Sequence, residues 1–228
     1  MTQNVFMSAL YLVRHGQASF GKSNYDKLSD LGILQAQLLG QHFRHNEIPL
    51  DRLVTGSLLR HRETAEAFAE QYGQDIAHKE ENPDWNEFDF EALAKAYVIS
   101  HPEAKPESGN PKAFFHLLRK ALIAWSRDEI EQTLPESWSS FQSRIQAALN
   151  HSRHEEEKTL VVSSGGSISM ALSLIMGFDA QTLIDLNLQT RNTAVTELFC
   201  RRGNTHVVSF NGIPHLEHPD KKQYISYA

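Results

Sequence analysis

The chain has 228 residues and carries 22 lysines and arginines against 28 aspartates and glutamates, a formal charge of −6. It therefore lacks the overall positive field that attracts nucleic acid or an anionic membrane. Its one cysteine, Cys200, excludes an intramolecular disulfide and a multi-cysteine zinc site. Apolar runs fall far short of the ~20 residues of a membrane span, and the amino terminus lacks a signal-peptide pattern. We expect a single cytoplasmic domain over residues 1–228.

The first predicted element is a buried parallel strand over Ala9–Val13, where five consecutive residues are apolar. The strand runs directly into Arg14, His15 and Gly16. In open α/β sheets, ligands bind at the carboxyl ends of the strands. A neutral imidazole beside a guanidinium can attack a phosphoryl group there, because the cation neutralises the oxygens. His15 is thus a candidate nucleophile and Arg14 a candidate phosphate ligand, with a structural histidine as the alternative.

The same region also satisfies the P-loop pattern G-x-x-x-x-G-K-[ST] over Gly16–Ser23. Such a loop would bind nucleotide phosphates through its amides and Lys22. It requires a helix beginning at Gly21, whereas the capping residue and the apolar spacing predict the first helix over Ser29–His45. A nucleotide-binding protein is therefore the third hypothesis for function.

A second strand is predicted at Arg52–Gly56, followed by a helix that Ser57 caps and whose buried stripe ends at Tyr72. Arg60 lies in the first turn of that helix. A helix amino terminus offers unpaired amides and positive potential to an anion, and an arginine adds a bidentate clamp. Arg60 is a candidate phosphate ligand, and a solvated surface arginine is the alternative.

A segment in which carboxylates alternate with aromatic residues follows a further short strand. Apolar neighbours raise the pKa of a carboxyl group. Glu87, flanked by aromatic residues, is therefore the candidate general acid for protonating a leaving oxygen. The alternatives on the same segment are Asp84, Asp89 and Glu91.

The alternation of strands and helices is interrupted over residues 91–135. The pattern predicts a helix at Glu91–Ser100, a loop at 101–111 and an amphipathic helix from Phe114 to Trp125. A further helix is predicted around Phe141–Leu149. We interpret residues 91–135 as a helical insertion that covers the site and selects the substrate.

An apolar strand from Thr159 then runs through two serines into Gly165 and Gly166, before a helix predicted to begin at about Ser167. Glycine amides at a helix start can bind phosphate, so Gly165 is a candidate phosphate ligand, and a simple tight turn is the alternative. Two more strands are predicted at Ala194–Cys200 and Thr205–Phe210.

The remaining polar features are the tail and the histidines. The tail from Pro214 to Ala228 is expected to lie on the surface. Three histidine pairs have a three-residue spacing without the H-E-x-x-H pattern, so we predict no metal ion. The pairs are His42/His45, His151/His154 and His215/His218.

Five segments resemble, in order, the motifs of the histidine phosphatase superfamily, also called the phosphoglycerate mutase-like family. The matching segments are Leu12–Gly16, Leu28–Gly40, Ser57–Ala65, Trp85–Phe90 and Val161–Gly166. The resemblance covers most of the chain. It implies an α/β fold, a three-layer sandwich with a mostly parallel sheet, helices on both faces, and a site at the carboxyl ends of the strands.

The resemblance also implies roles for the candidate residues. His15 would be the nucleophile, Arg14 and Arg60 phosphate ligands, and Glu87 the acid. The implied activity is a cofactor-independent phosphomonoester phosphatase that acts through phosphohistidine on a small phosphorylated metabolite or a phosphoprotein. Pyrophosphate hydrolysis and mutase activity stay open as alternatives.

Two positions depart from the pattern of the family. Ser164 stands where the family has its second catalytic histidine, so a neutral hydroxyl replaces a potentially cationic donor to the phosphoryl oxygens. Gly21 stands where many members have an asparagine, and Asn24 is the nearest one here. These departures support a second hypothesis, a weak or inactive module that binds phosphorylated ligands through Ser164, Gly165 and the arginines.

Overall fold

The computed structural model describes residues 8–19, 26–106, 111–201 and 203–227, with the backbone alone at 111 and 112. The strands are β1 (Ser8–Arg14), β2 (Arg52–Thr55), β3 (His78–Glu81), β4 (Lys158–Ser163), β5 (Val195–Arg201) and β6 (Asn204–Gly212). The helices are α1 (Asp30–His45), α2 (Leu59–Tyr72), α3 (Phe90–Ser100), α4 (Pro111–Ser126), α5 (Trp138–Ser152), α6 (Gly165–Met176) and α7 (Ala180–Gln189).

These strands form one sheet in the order β3-β2-β4-β1-β5-β6. The first four of that order are parallel, while β5 is antiparallel to β1 and β6 to β5. Arg14 pairs with Ser163, and Thr55 with Val162. The carboxyl ends of β1, β2 and β4 therefore meet at one edge of a mostly parallel sheet, as predicted.

Side-chain alternation along β1 divides the core into two layers. Leu10 and Leu12 pack in a cluster with apolar residues of α3, α4, α5, α6 and α7. Tyr11 and Val13 point the other way and pack with residues of α1 and α2. Helices therefore cover both faces of the sheet, which confirms the three-layer α/β fold.

The predicted insertion contains all of α4 and all of α3 except its first residue, Phe90. Leu93 and Trp125 from these helices pack in the larger core cluster, and Cys200 lies buried in the same cluster. Burial raises the pKa of the Cys200 thiol, which suits a small apolar core residue. That residues 91–135 cover the site and select the substrate stays a prediction.

The expectation of a surface tail is wrong for part of it. Leu216 is fully buried and packs with Ala194 and Ile213. Further along, the amide of Asn192 donates to the carbonyl of Ser226 at 2.9 Å. Single apolar residues in a polar stretch have no period, so the sequence pattern did not indicate this burial.

Two features of the described ranges bear on the class of function. None of their helices has both the length and the apolar character needed to cross a membrane. Within the same ranges no group of three or more histidine, cysteine, aspartate or glutamate residues is arranged to hold a metal ion.

Candidate active site

The strand β1 places His15 at the carboxyl edge of the sheet, where its amide donates to the carbonyl of Ser163 at 2.8 Å. The side chain is buried, and Nδ1 lies 2.7 Å from the carbonyl oxygen of Gly16. A carbonyl only accepts, so Nδ1 carries the proton and Nε2 keeps its lone pair. Burial, Arg60 and Arg14 hold the pKa of His15 well below its usual value, so the ring is neutral near pH 7.

The turn after His15 packs backbone against backbone on the start of α1. A Cβ at Gly16 would lie 2.4 Å from the carbonyl oxygen of Gly32, and a Cβ at Gly32 would lie 2.2 Å from that of Gln17. The hydroxyl of Ser29 accepts from the amide of Gly32 at 3.1 Å and caps α1 as predicted. Only glycines allow this approach, so the turn is fixed relative to the helix.

The described residues also bear on the P-loop hypothesis. The first helix, α1, begins at Asp30, as the capping pattern predicted. Gly21, where the P-loop would require a helix to begin, lies outside the described residues. Lys22 and Ser23, the last two residues of that pattern, lie outside the described residues, as does Asn24.

Arg60 lies in the first turn of α2 and is buried. Its Nη1 is 2.6 Å from Oδ1 of Asp26, and the other carboxylate oxygen of Asp26 accepts from the amide of Leu59 at 2.8 Å. The predicted cap by Ser57 is wrong, because the hydroxyl of that serine accepts from the side-chain amide of Asn86 at 2.7 Å. A carboxylate from a distant segment thus satisfies the start of α2 and holds Arg60.

The positive charge of Arg60 acts on other ionisable side chains of the site. Its guanidinium lowers the pKa of three groups, namely the rings of His15 and His61 and the carboxyl of Glu87. Such effects decline with distance, so the positive charge lies among these three side chains.

Arg14 lies between the start of α6 and the carboxyl-terminal segment. Its Nη1 donates to the carbonyl oxygens of Thr190 and Tyr227, the latter at 2.7 Å. Its Nε is 3.7 Å from the position that a Cβ would take at Gly165. The guanidinium therefore lies near the glycine predicted to bind phosphate. Main-chain carbonyls of the tail and of the residue after α7 hold it there.

The segment that carries Glu87 is fixed by hydrogen bonds from three elements. The hydroxyl of Ser163 donates to the carbonyl of Trp85 at 2.6 Å, and that of Ser167 to the carbonyl of Asn86 at 2.8 Å. Nη1 of Arg144 donates to the same Asn86 carbonyl at 2.6 Å. Arg144 was not predicted to be a site residue, because it lies in α5 and its contact depends on how that helix packs.

The carboxyl of Glu87 lies against the first turn of α6, which begins at Gly165, two residues before the predicted start. Its Oε2 accepts from the amide of Gly166 at 2.9 Å, and a Cβ at Gly166 would lie 2.2 Å from Oε1. The Gly166 amide, expected to face a phosphate, therefore bonds to this carboxyl. Burial raises the pKa of Glu87, against the opposing effects of the Gly166 amide and of Arg60.

The alternative acids have other partners. Asp89 caps α3 by accepting from the amide of Ala92 at 2.8 Å, and it is exposed. Glu91 is also exposed and pairs with Lys95. Of the candidates, Glu87 is the one whose carboxyl reaches the start of α6.

The site also contains a histidine that was not among the predicted site residues. His61 is fully buried, and its Nε2 lies 2.7 Å from Oγ of Ser164. Its ring centroid is 5.7 Å from that of His15. A Cβ at Gly56 would lie 2.3 Å from its Nδ1, so the ring occupies space that only a glycine leaves. Burial and Arg60 lower the pKa of His61 well below its usual value.

The structure thus brings the predicted candidates to one edge of the sheet. Two of them lie at the end of β1 or directly after it, and one lies in the first turn of α2. One lies shortly before α3, and two lie directly after β4. They are Arg14, His15, Arg60, Glu87, Ser164 and Gly165. The only local signal for His61 was its position next to Arg60. Its contact with Ser164 depends on the fold and is not indicated by the sequence.

Histidine, arginine and carboxyl side chains thus meet in an α/β sandwich at the carboxyl ends of parallel strands, where this class of fold binds its ligands. The sequence matches the histidine phosphatase superfamily (branch 1) over residues 10–212. The chain belongs to this superfamily, and the resemblance drawn from the motifs is confirmed.

Relatives within the superfamily include mutases and phosphatases. The chain is 25% identical over 193 residues to the 2,3-bisphosphoglycerate-dependent phosphoglycerate mutase of Methylocella silvestris, covering 79% of this chain and 87% of that one. The phosphoglycerate mutase structure from Bacillus anthracis str. Sterne has a TM-score of 0.66 and 20% identity, covering 92% and 95% of the two chains. Phosphoserine phosphatase from Entamoeba histolytica, in complex with 3-phosphoglyceric acid, has a TM-score of 0.64 and 21% identity, covering 92% and 100%.

Proposed function

We propose that this protein is a cofactor-independent phosphomonoester phosphatase in which His15 carries the phosphoryl group. The observation that carries the proposal is the state of the His15 ring. Its Nδ1 proton is held by the Gly16 carbonyl and its pKa is lowered, so Nε2 presents a lone pair at neutral pH. A neutral imidazole is the nucleophilic form, and the charges of Arg14 and Arg60 lie beside it.

In the first step, Nε2 of His15 attacks phosphorus and the ester P–O bond breaks. The equatorial oxygens carry the developing charge, which Arg14 and Arg60 neutralise. Glu87 gives its proton to the leaving alkoxide. Because burial raises the pKa of this carboxyl, it keeps a proton to higher pH than an exposed glutamic acid does.

In the second step, Glu87 is a carboxylate and accepts a proton from water. The water oxygen attacks phosphorus, and the P–N bond to His15 breaks. The products are inorganic phosphate, neutral His15 and protonated Glu87, so the cycle returns to its starting state without a cofactor.

The proposed substrates are small phosphorylated metabolites or phosphoproteins. The Entamoeba histolytica relative in complex with 3-phosphoglyceric acid supports the first class. A useful panel contains phosphoserine, 3-phosphoglycerate, a phosphopeptide and p-nitrophenyl phosphate. Formation of 2-phosphoglycerate from 3-phosphoglycerate, with 2,3-bisphosphoglycerate present, would instead indicate a mutase.

The test measures phosphate release and ³²P trapped on the protein after rapid quenching. We expect a label that is stable in alkali and lost in acid, as phosphohistidine is. His15→Ala should abolish turnover and label while the melting temperature stays near that of the natural protein. Lys22→Ala is the control for the nucleotide hypothesis and should change little.

Two other results would replace the proposal. Activity that survives His15→Ala but is lost in Lys22→Ala would favour a nucleotide site. Vanadate binding without turnover or label on any substrate would favour the phospho-ligand-binding module, which the hydroxyl of Ser164 in place of a histidine supports.

A further inference from the structure

We propose that His61 and Ser164 act as one hydrogen-bonded pair, in which His61 orients the Ser164 hydroxyl so that its proton points to a phosphoryl oxygen at His15. Ser164 would touch the transferring group, and His61 would be a positioning residue supplied by α2. This inference rests on the proposed phosphoryl chemistry of His15 and extends it to a residue to which the sequence motifs assign no role.

The contact between the two residues joins separate elements. Nε2 of His61 and Oγ of Ser164 are 2.7 Å apart although the residues are 103 positions apart in the chain. Both side chains are buried, with 0% and 1% exposure. A short hydrogen bond in such surroundings is well shielded from water and holds both groups in place.

The position of Ser164 explains why its hydroxyl is available. The residue occupies the N-cap of α6, where a serine usually accepts a hydrogen bond from a first-turn amide. Ser164 makes no such bond. The carboxyl of Glu87 accepts from the Gly166 amide instead, so the Ser164 oxygen is left to bond with His61.

The tautomer of His61 follows from its other nitrogen. Nδ1 is buried and has no hydrogen-bond partner among the described residues, and it lies against Gly56. A buried N–H without an acceptor is costly and rare, so the proton belongs on Nε2. Nε2–H then donates to Oγ of Ser164, and the hydroxyl proton of the serine is directed onward.

The pair therefore presents a neutral donor at the position where the family has its second histidine. Burial and Arg60 keep the pKa of His61 well below its usual value, so His61 adds no positive charge. Two arginines already supply charge to this region, Arg14 and Arg60. A neutral third donor stabilises the phosphoryl oxygens without adding a third positive charge beside His15.

The sharpest test compares His61→Gln with His61→Asn. Both introduce a neutral amide, but the longer glutamine side chain can place its NH₂ near the position of Nε2, and asparagine only near that of Nδ1. We expect His61→Asn to slow phosphorylation of His15 by about 10- to 100-fold, the range seen when orienting partners are removed from metal sites. KM should change much less, and His61→Gln should retain most of the rate.

The second measurement is a double-mutant cycle with Ser164→Ala. If the residues act as one unit, the double variant should be little slower than the slower single variant. The affinity for vanadate is measured for the same set of variants, because vanadate binding requires no turnover. Melting temperatures identify any variant whose loss reflects unfolding, and Ser164→Ala is a small change that keeps the test available if a His61 variant unfolds.

Several results would overturn the inference. One is an equal loss of phosphorylation rate in His61→Gln and His61→Asn. Another is a double variant whose loss of rate is the product of the losses in the two single variants. A third is an affinity for vanadate that neither substitution changes. An acid-stable label that Ser164→Ala removes would make Ser164 the nucleophile and would overturn it as well. Activity that survives His15→Ala would instead reject the proposed function itself, so the two failures are distinguishable.

Discussion

Glu87 is held in surroundings that act on its carboxyl in opposite directions. Burial raises its pKa, while the Gly166 amide and Arg60 lower it, and the net shift is upward from the ordinary value of 4.5. A carboxyl in this condition exchanges a proton more readily near neutral pH than an exposed one. The hydrogen bond from the Gly166 amide to Glu87 holds both this carboxyl and the first turn of α6 in place.

Glu87→Gln is expected to slow hydrolysis of alkyl phosphates far more than that of p-nitrophenyl phosphate, because nitrophenolate leaves with little protonation. The measurement is kcat/KM for both substrates across pH. In the natural protein the rate on alkyl phosphates should fall as pH rises through the pKa of Glu87, since the protonated form is lost. The glutamine variant should lack that fall.

The matched control is Asp89→Asn, on the same segment but at the exposed cap of α3. It should affect both substrates alike. Equal slowing of both substrates by Glu87→Gln would place the acid elsewhere.

At the level of elements, α2 determines much of the site because its first turn carries both Arg60 and His61. The start of this helix has no side-chain cap of its own. The carboxylate of Asp26, from the segment before α1, accepts from the Leu59 amide and pairs with Arg60. One side chain thus stabilises the helix start and orients an arginine.

Asp26→Ala is expected to lower the free energy of unfolding by about 1 kcal/mol, the usual effect of losing a helix cap. Asp26→Asn should lower it less, since the amide oxygen can still accept from the amide of Leu59. Denaturant unfolding of the two variants measures the difference. Glu66→Ala removes an exposed carboxylate from the same helix and should be close to neutral. Equal stability of the alanine and asparagine variants would contradict the capping role.

At the scale of the whole molecule, the fold keeps three histidines buried and neutral. They are His15 and His61 in the site and His215 in the tail, whose pKa is lowered from 6.5 to about 3 by burial, His42 and Lys221. Below pH 6.5 the unfolded chain takes up protons that the folded chain does not. The contribution of these neutral histidines to the free energy of unfolding is therefore fully present above that pH. It is lost as the pH falls towards their folded-state pKa values.

Protonation of His215 in the unfolded chain should by itself lower the free energy of unfolding by about 2 kcal/mol at pH 5. That pH lies 1.5 units below the ordinary pKa of 6.5, and each unit corresponds to about 1.36 kcal/mol. His215→Gln should therefore reduce the loss of unfolding free energy between pH 7 and pH 5 by about that amount. Denaturant unfolding at both values measures it. His206→Gln, at an exposed position on β6, is the matched control for the same substitution outside the core. An unchanged pH dependence in His215→Gln would contradict the burial argument.

The sequence by itself determined the features that depend on local order. The apolar run before Arg14 predicted a buried strand, and Ser29 predicted the start of α1. Arg60 and Glu87 were found because a helix start and an aromatic segment are visible without a fold. The ordered motifs identified the superfamily, and with it the parallel sheet whose strand ends bring these residues together.

The tertiary structure alone decided which side chains meet across elements. The pairing of His61 with Ser164, the cap that Asp26 supplies to α2 and the contact of Arg144 with the Asn86 carbonyl all join distant segments. Each depends on how helices pack on the two faces of the sheet, and packing distances have no period in the sequence. A hydrogen bond requires its two atoms within about 3 Å, so only the assembled fold selects these partners.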